Sequence, residues 1–416
     1  MKIFRNARLK GDKTVKDIYV EDGKIVKISD KPDIPEGAES VDVEGKLVIP
    51  PYVDPHLHLD YVFTASMGEQ NGTGTLFEGI QRWSESKGNR TVEQMKERIY
   101  SGIRKEMLHG VQAIRTHIDV TDPTFTGLKA ALEVREEVKD ILDLQIVAFP
   151  QEGMYAYKGG DELVEEGLKM GADCVGAIPH FELAREFGEK SIHKVVELAV
   201  KYDKLIDVHC DETDDTQSRF LELLNALALM EGIGTKTTAS HTCSFGSADN
   251  SYAFRMMSLF KKSGINFISC PTENIYLEGR QDSYPKRRGL TRVKELNDNG
   301  INVCFAQDSM SDPWYPLGNG NMMMILDHGI HIAQMMSPEE IVNDLDLVTT
   351  NGAITMNITD HYGIGEGKPA NFIVLDAKSE FEAICERAGI VASVRNGEFL
   401  FRKVPAQVTG AIDLLK

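Results

Sequence analysis

Two histidines separated by one residue are the first feature of this sequence that could do chemistry. His56 and His58 lie in the segment VDPHLHLD, and side chains two residues apart in an extended segment point to the same side. Two such imidazoles can chelate one divalent cation, although buried pairs that bond only to backbone are the commoner case. A third imidazole at His209 and a carboxylate at Asp308 complete a donor set that suits Zn²⁺ or Fe²⁺ and leaves room for water. These four residues therefore predict one catalytic metal site.

A glutamate and a further histidine accompany these predicted ligands. Glu212 follows His209 by three residues, and His241 ends the segment TTASH. A bound cation makes hydroxide available near neutral pH, and hydroxide can attack an electron-poor carbon. Departure of a leaving group from that carbon also needs protons, which Glu212 is placed to deliver. The alternative for Glu212 is a solvated acid in the run CDETDD, and the neighbouring ligand makes that alternative the weaker one.

The elements that must position these residues are short apolar segments with the composition of buried strands. They alternate with amphipathic patterns such as TVEQMKERIYSGIRKEMLHG, whose apolar spacing predicts helices. Eight strands with intervening helices predict a (β/α)₈ barrel, in which active sites lie at the C-terminal strand ends. His180 also ends a predicted strand, and a structural role for it is at least as favoured as a catalytic one. The predicted strands are LVIP (47–50), VQAIRTHI (111–118), LQIVAFP (144–150), CVGAIPH (174–180), LIDVHCD (205–211), TTASHT (237–242), NFISCP (266–271) and NVCFAQD (302–308).

The two ends of the chain differ from this middle. Residues 1–49 and the region near 370–403 contain short alternating segments with Gly and Asp at the turns, which is typical of β-strands and hairpins. We expect a small β-sandwich built from both termini, 1–49 and 365–416, around a barrel at 50–364.

Composition excludes several classes of function. The 416 residues carry 46 basic and 64 acidic side chains, a net charge of −18, whereas nucleic-acid and anionic-membrane binding need basic surfaces. No apolar run is long enough to span a membrane, and no secretory signal is visible. Six scattered cysteines without a C-x-x-C pair are typical of reduced thiols. The sequence predicts a cytoplasmic protein that acts on a small molecule.

The chain resembles the bacterial cytosine deaminases of the amidohydrolase superfamily along nearly its whole length. This resemblance implies a (β/α)₈ barrel with a flanking β-sandwich, one iron or zinc ion per subunit, and a homo-oligomer, by family a hexamer. It implies pyrimidine salvage: cytosine becomes uracil and ammonia is released. The segments that carry the resemblance are VIPPYVDPHLHLD, NGTGTLFEGIQRW, LQIVAFPQEG, VGAIPHFE, KLIDVHCDETDDTQSRF, TASHT, YPKRRGLTRVKE, GINVCF and DPWYPLGNGNM.

The resemblance also implies roles for individual residues. His241 would orient the hydrolytic water, Asp308 would take its proton, and Glu212 would protonate ring nitrogen N3 and pass a proton onward. Gln151 would hydrogen-bond the amide face of the pyrimidine.

Three apolar side chains would complete the pocket. By the resemblance, Leu76 and Phe149 would wall it, and Trp314 would lie over or beside the ring. Their alternatives are an ordinary core for Leu76 and Phe149, and a buried loop anchor for Trp314.

One departure from the family pattern concerns specificity. Where the family has His, the metal Asp and a second Asp, this chain has Gln307, Asp308 and Ser309. Forcing a methyl group into a tight pocket costs ~1–3 kcal/mol, and a serine occupies less volume than an aspartate. We therefore expect Ser309 to open space beside ring atom C5, so that 5-methylcytosine is deaminated to thymine. The sequence resembles the subset of these deaminases that lacks the second Asp.

Three other interpretations remain. One is deamination or hydrolysis of another small cyclic amidine such as creatinine, isoguanine or a triazine, which would use the same metal site. A second is a non-catalytic binding protein, which the retained ligands and Glu212 disfavour. A third is a two-metal enzyme, which is disfavoured because strand four (CVGAIPHFE) has no lysine to bridge two metals.

Overall fold

The computed structural model describes residues 1–31 and 33–404. These residues form two compact units, one from Met1–Pro51 together with the chain from His361 onward, the other Tyr52–Asp360. The predicted divisions lie after residues 49 and 364, and the exact domain extents stay a prediction. Residues 405–416, which were assigned to the C-terminal part of the β-sandwich, lie outside the described residues.

The first unit is a mixed sheet to which both termini contribute, so the prediction of a β element built from both ends is confirmed. Its strand order is β16-β15-β14-β5-β1-β2-β3, and β4 pairs in parallel with β1. Phe4 and Phe372 meet edge to face in its core, with ring centroids 4.8 Å apart. The unit also contains one helix, α14 (Glu380–Cys385). Its strands are β1 (Lys2–Leu9), β2 (Val15–Glu21), β3 (Lys24–Ser29), β4 (Glu39–Asp42), β5 (Leu47–Ile49), β14 (Phe372–Leu375), β15 (Ile390–Arg395) and β16 (Glu398–Arg402).

One predicted barrel strand belongs to this sheet instead. The segment LVIP, which the sequence predicts to be the first strand of the barrel, forms β5 and pairs with β1 and β14 of the terminal sheet. An apolar run of three buried residues has the same appearance in either sheet. The barrel begins after the two prolines that follow β5, at Tyr52.

The second unit is a closed parallel barrel, as predicted. Its eight strands pair in sequence order from β6 to β13, and an isolated parallel bridge between Leu57 in β6 and Asp308, which follows β13, brings the two ends of the sheet together. The barrel strands are β6 (Tyr52–Leu57), β7 (Val111–Asp119), β8 (Asp143–Phe149), β9 (Cys174–Ala177), β10 (Leu205–Cys210), β11 (Thr237–His241), β12 (Asn266–Ser269) and β13 (Val303–Phe305).

Helices connect these strands, and side chains in the preceding turns set where they begin. Thr75 accepts a hydrogen bond from the Glu78 N–H at the start of α1, and Thr91 forms a capping box with Gln94 at the start of α2. No helix among the described residues has both the length and the apolar composition of a membrane span. The helices are α1 (Leu76–Ser86), α2 (Val92–Leu108), α3 (Thr126–Val138), α4 (Gly160–Met170), α5 (Arg185–Tyr202), α6 (Phe220–Met230), α7 (Cys243–Gly246), α8 (Asn250–Ser263), α9 (Pro271–Leu277), α10 (Val293–Asp298), α11 (Met322–Ala333), α12 (Pro338–Asn343) and α13 (Thr350–Thr355).

Candidate active site

Three imidazoles and one carboxylate converge at the C-terminal ends of the barrel strands. The Nε2 atom of His209 lies 3.2 Å from Nε2 of His56 and 3.0 Å from Nε2 of His58. Asp308 Oδ1 lies 3.5 Å from Nε2 of both His56 and His58. Donors held about 2.1 Å from one zinc ion are about 3.0–3.5 Å apart, so this spacing fits a single cation. The four predicted ligands therefore form one cluster that could hold a metal.

Strand geometry produces this convergence. His56 lies in β6 and His58 follows its end, and the alternation of side chains sends both into the barrel. Asp308 follows β13 with a φ of 63°, a left-handed conformation that is uncommon outside glycine. Its N–H donates to the His56 carbonyl at 2.8 Å. The closure of the barrel thus brings the last ligand against the first.

The protonation states of the histidines suit metal binding. All three side chains are buried, and burial together with the neighbouring imidazoles lowers the pKa of His56, His58 and His209 well below the usual value. The neutral imidazole is the form that binds a cation.

A buried chain of hydrogen bonds holds His56 in place. His56 Nδ1 lies 3.0 Å from Ser240 Oγ, and that hydroxyl donates to Asp207 Oδ1 at 2.6 Å. Arg115 Nη1 donates to Asp207 Oδ2 at 2.9 Å. His117 packs on the His56 ring, with centroids 4.0 Å apart, and its Nε2 lies 3.5 Å from Asp207 Oδ1. Such outer partners orient a metal ligand and set its tautomer.

None of these outer partners of His56 was predicted from the sequence, although the spacing of two of them contains a signal. Asp207 lies two residues before His209, and Arg115 lies two residues before His117. Period-two alternation therefore places each pair on the inner face of its strand. Charged residues on the inner face of a barrel strand need buried partners. This spacing therefore indicates buried hydrogen bonds around Asp207 and Arg115.

Glu212 and His241 lie beside the cluster and touch each other. His241 Nδ1 is 3.3 Å from Glu212 Oε1 and 3.8 Å from Asp308 Oδ2. Asn274 Nδ2 donates to Glu212 Oε1 at 3.0 Å, a contact that the sequence did not indicate. Burial raises the pKa of Glu212 well above its ordinary value, and the carboxylates of Asp308 and Glu278 raise it further. Burial of this kind favours the protonated form of a carboxyl group, which can then act as a proton donor.

Gln151 follows β8 and has an open hydrogen-bonding group. Its side chain is buried, and its Oε1 atom has no hydrogen-bond partner among the described residues. Its backbone N–H lies 3.4 Å from Asp119 Oδ1. Glu182 accepts the N–H groups of Met154 and Ala156 at 2.6 and 2.7 Å. The loop is therefore pinned at both ends, and the free carbonyl oxygen can receive an N–H from a ligand.

Asp119 also ties this loop to α1. Trp83 Nε1 and Lys87 Nζ each donate to Asp119 Oδ2 at 2.9 Å. Lys87 additionally contacts Glu152, the residue after Gln151. The ammonium group of Lys87 therefore bridges the end of α1 and the Gln151 loop.

The three predicted apolar residues have separate surroundings. Phe149 is fully buried and stacks on His209, with ring centroids 4.1 Å apart at 19°. Trp314 Nε1 donates to the Leu76 carbonyl at 3.1 Å. Tyr61, which the sequence did not single out, stacks on His58 at 4.5 Å and also packs on Trp314. Tyr61 therefore links the metal cluster to the tryptophan.

Two further predicted positions are buried. Ser309 follows Asp308 directly and is 1% exposed. His180 lies in the short turn Pro179–Phe181, and neither ring nitrogen has a partner within the described part of the chain. Burial lowers the pKa of His180 to about 3, so its ring is neutral.

Comparisons with known proteins show the family to which this chain belongs. The model of the amidohydrolase family matches residues 39–401. N-isopropylammelide isopropyl amidohydrolase of Pseudomonas sp. strain ADP is 31% identical, over 96% of this chain and 97% of that protein. The crystal structure of 5-methylcytosine deaminase from Klebsiella pneumoniae, liganded with 5-fluorocytosine, is 48% identical with a TM-score of 0.95. It covers 98% of this chain, which covers 99% of it. A second structure of the same Klebsiella enzyme, liganded with phosphonocytosine, also has a TM-score of 0.95. On the match of the family model and on these identities, the chain is a member of the amidohydrolase family.

Proposed function

We propose that this protein deaminates free pyrimidine bases by hydrolysis, converting cytosine to uracil and 5-methylcytosine to thymine. The observation that carries the proposal is the position of Glu212, a buried acid against His241 at the edge of the four-ligand cluster. The 48% identity to a 5-methylcytosine deaminase supports the choice of substrate.

We assign the metal to His56, His58, His209 and Asp308, with one Fe²⁺ or Zn²⁺ per subunit, because three imidazoles and a carboxylate suit both ions. A divalent cation bound there lowers the pKa of a water molecule in the site toward ~7. The missing lysine in β9 favours one metal over two.

The protein's own groups then divide the remaining work. His241 orients the attacking water, and Asp308 accepts its proton through the oxygen that faces His241. The oxygen of that water bonds to C4 while Glu212 donates a proton to ring nitrogen N3. The proton held by Asp308 then passes to the exocyclic nitrogen, the bond from C4 to that nitrogen breaks, and the proton on the new C4 hydroxyl returns to Glu212. Cytosine and water therefore give uracil and ammonia.

Binding of the base is assigned to the other side of the pocket. Gln151 receives a ring N–H through its free carbonyl oxygen. Trp314 and Leu76, joined by their hydrogen bond, lie along the ring, and Phe149 closes the wall behind His209. Ser309 leaves space beside C5 for a methyl group.

A second candidate function is hydrolysis of another cyclic amidine. The relative that is named for a triazine-derived substrate, N-isopropylammelide, is 31% identical over nearly the whole chain. The Klebsiella enzyme is more similar, at 48%, and we therefore favour the pyrimidine over a triazine, creatinine or isoguanine.

The experiment is ammonia release from metal-loaded protein across cytosine, 5-methylcytosine, isoguanine, creatinine and N-isopropylammelide. We expect turnover of the first two, with kcat/KM values within about a hundredfold of each other. Turnover of isoguanine, creatinine or N-isopropylammelide alone would replace the pyrimidine assignment. If the protein takes up no metal, and binds these compounds without turning them over, it would be a binding protein instead.

Ser309 is tested with a matched pair of variants. Ser309→Asp puts a carboxylate beside C5, and Ser309→Asn adds the same volume without charge. Both should lower the preference for 5-methylcytosine if volume decides it. If neither changes the ratio, Ser309 does not set the specificity. The homo-hexamer and the cytoplasmic location stay predictions, and the mass of the native protein in solution tests the former.

A further inference from the structure

The assigned metal ligands His56 and His58 are held in place by different kinds of contact. His56 Nδ1 lies 3.0 Å from the Ser240 hydroxyl, whereas His58 Nδ1 has no hydrogen-bond partner in the described part of the chain. The His58 ring packs instead on Tyr61, with centroids 4.5 Å apart and ring planes at 15°. Of the aromatic rings that contact His58, that of Tyr61 is the nearest and the most nearly parallel. Ring packing therefore orients His58 where a hydrogen bond orients His56.

A tight turn places Tyr61 on His58. The Tyr61 N–H donates to the His58 carbonyl at 3.4 Å, which is the bond between the fourth and first residues of a β-turn. The Leu59 N–H donates to Thr116 Oγ1 at 2.9 Å, and the Thr64 hydroxyl donates to the Tyr61 carbonyl at 2.5 Å. The backbone of the turn is thus fixed from both sides, and it carries the phenol ring back over the imidazole.

The same phenol ring packs on the tryptophan to which base binding is assigned. The ring centroids of Tyr61 and Trp314 lie 4.5 Å apart at 36°, and both residues are 3% exposed. Helix α1 confines the indole as well. Trp314 Nε1 donates to the Leu76 carbonyl, and a Cβ on Gly79 would lie only 2.4 Å from that nitrogen. Trp314 is therefore enclosed by α1 and by Tyr61.

We propose that Tyr61 is a positioning residue whose ring holds His58 and Trp314 at a fixed separation, so that a base bound along the indole meets the metal site in one orientation. This inference rests on the proposed function, which assigns base binding to Trp314. An aliphatic side chain at position 61 fills space but offers no flat ring to pack on. A less firmly held indole must be ordered when the base binds, which weakens binding. A less firmly held imidazole weakens metal binding for the same reason.

The first measurement needs no substrate. It is the Zn²⁺ affinity of the full-length protein, determined by competition with a chelator. Tyr61→Leu should weaken this affinity by about 10–100-fold, whereas Tyr61→Phe keeps both ring contacts and should stay within about threefold of wild type. Tyr61→Met is a second apolar variant if the leucine variant does not fold. Wild-type affinity in the apolar variant, or an equal loss in Tyr61→Phe, would overturn the role of the ring toward His58.

The second measurement is KM for cytosine at saturating Zn²⁺. Tyr61→Leu should raise KM by about tenfold and change kcat less, because no reacting group is removed. Trp314→Leu should also raise KM but leave the Zn²⁺ affinity at the wild-type level. In that background Tyr61→Leu should raise KM by less than about threefold further, since the indole that it positions is gone. Fully additive increases in KM would overturn the role of Tyr61 toward Trp314.

A buried ring elsewhere separates positioning from a general loss of packing. Phe260 is fully buried and packs on Phe245 and Phe267, with ring centroids 5.5 and 4.9 Å away. Phe260→Leu should lower the thermal stability and leave both the Zn²⁺ affinity and KM within about threefold of wild type. If Phe260→Leu changes both values as much as Tyr61→Leu does, the effect belongs to any lost core ring, and the inference is overturned.

The outcomes separate this inference from the function on which it rests. A wild-type protein that binds Zn²⁺ but deaminates neither base contradicts the proposed function, and with it the role of Tyr61 in base binding. A wild-type protein that deaminates both bases, with unchanged Zn²⁺ affinity and KM in Tyr61→Leu, overturns the role of Tyr61 alone.

Discussion

The two sides of the pocket are built in different ways. The metal side consists of His56, His58, His209 and Asp308, which lie in or directly after barrel strands and are tied to the barrel backbone. The side to which we assign base recognition, called the base-recognition side, consists of residues on loops and helix ends, such as Gln151, Leu76 and Trp314. Contacts between distant segments hold these residues.

This difference determines which part of the site tolerates substitution. Strand ends of a closed barrel share one rigid frame, so the ligand geometry follows from the fold. Loop positions depend on individual hydrogen bonds such as those to Asp119 and Glu182. Changes on the metal side should therefore abolish the reaction, and changes on the other side should alter which base is used and how well it binds.

The largest expected effect comes from removing a ligand on the metal side. His209→Ala should lose bound metal and lower kcat/KM by at least about a thousandfold, because the cation and its activated water are lost together. Elemental analysis and ammonia release measure the two effects. His193→Ala, an exposed histidine, is the control. Full activity of His209→Ala with a normal metal content would contradict the assigned ligand set.

The next effect separates proton transfer from metal binding. Glu212→Gln should lower kcat by about 10²–10⁴-fold, since a neutral amide of the same shape cannot deliver a proton. The metal content should stay at the wild-type level, because Glu212 is not a ligand in this assignment. The exposed Glu231→Gln should match wild type. Loss of metal in Glu212→Gln would move this residue into the ligand set.

A smaller effect is expected from the buried chain behind His56. Ser240→Ala removes the link between His56 and Asp207 and should weaken metal affinity by about 10–100-fold. Competition with a chelator measures the affinity. Ser269→Ala is the matched control, because its buried strand-end hydroxyl has no partner in the described residues. Equal affinity in the two variants would show that the chain does not orient the ligand.

The smallest effect should come from the link between α1 and the Gln151 loop. Lys87→Met removes the cation that Asp119 and Glu152 share, so the loop should hold Gln151 less firmly. We expect KM for cytosine to rise by about tenfold and kcat to change less, since no reacting group is touched. Lys87→Arg should restore part of the loss. A fall in kcat at constant KM would assign Lys87 to the chemistry instead.

The sequence predicts the metal side of the pocket better than the base-recognition side, because the two sides are built in different ways. The four assigned ligands stand out in the sequence because imidazole and carboxylate side chains at several strand ends can share one metal, and the alternation of side chains gives their direction. Phe149 and Leu76 were singled out only through the family resemblance, because an apolar residue has the same pattern in a pocket and in a core.

Two features of the structure that the sequence did not predict depend on contacts between distant segments. Asn274 lies in an unremarkable segment, PTENIYL, and its hydrogen bond to Glu212 depends on how two segments that follow different barrel strands meet. The segment LVIP was assigned to the barrel because a short buried strand carries no mark of the sheet it joins. Both features depend on pairing between distant segments, which the spacing of residues along the sequence does not indicate.

The proposed reaction has two requirements. The metal side must perform a hydrolysis, and the base-recognition side must admit a pyrimidine with or without a methyl group at C5. The most direct measurement is the product formed from 5-methylcytosine in water enriched in heavy oxygen. We expect thymine that carries one heavy oxygen atom from the water, together with one equivalent of ammonia, and neither product from Glu212→Gln over the same time. Thymine without the heavy oxygen, or no thymine from a metal-loaded protein that turns over another amidine, would contradict it.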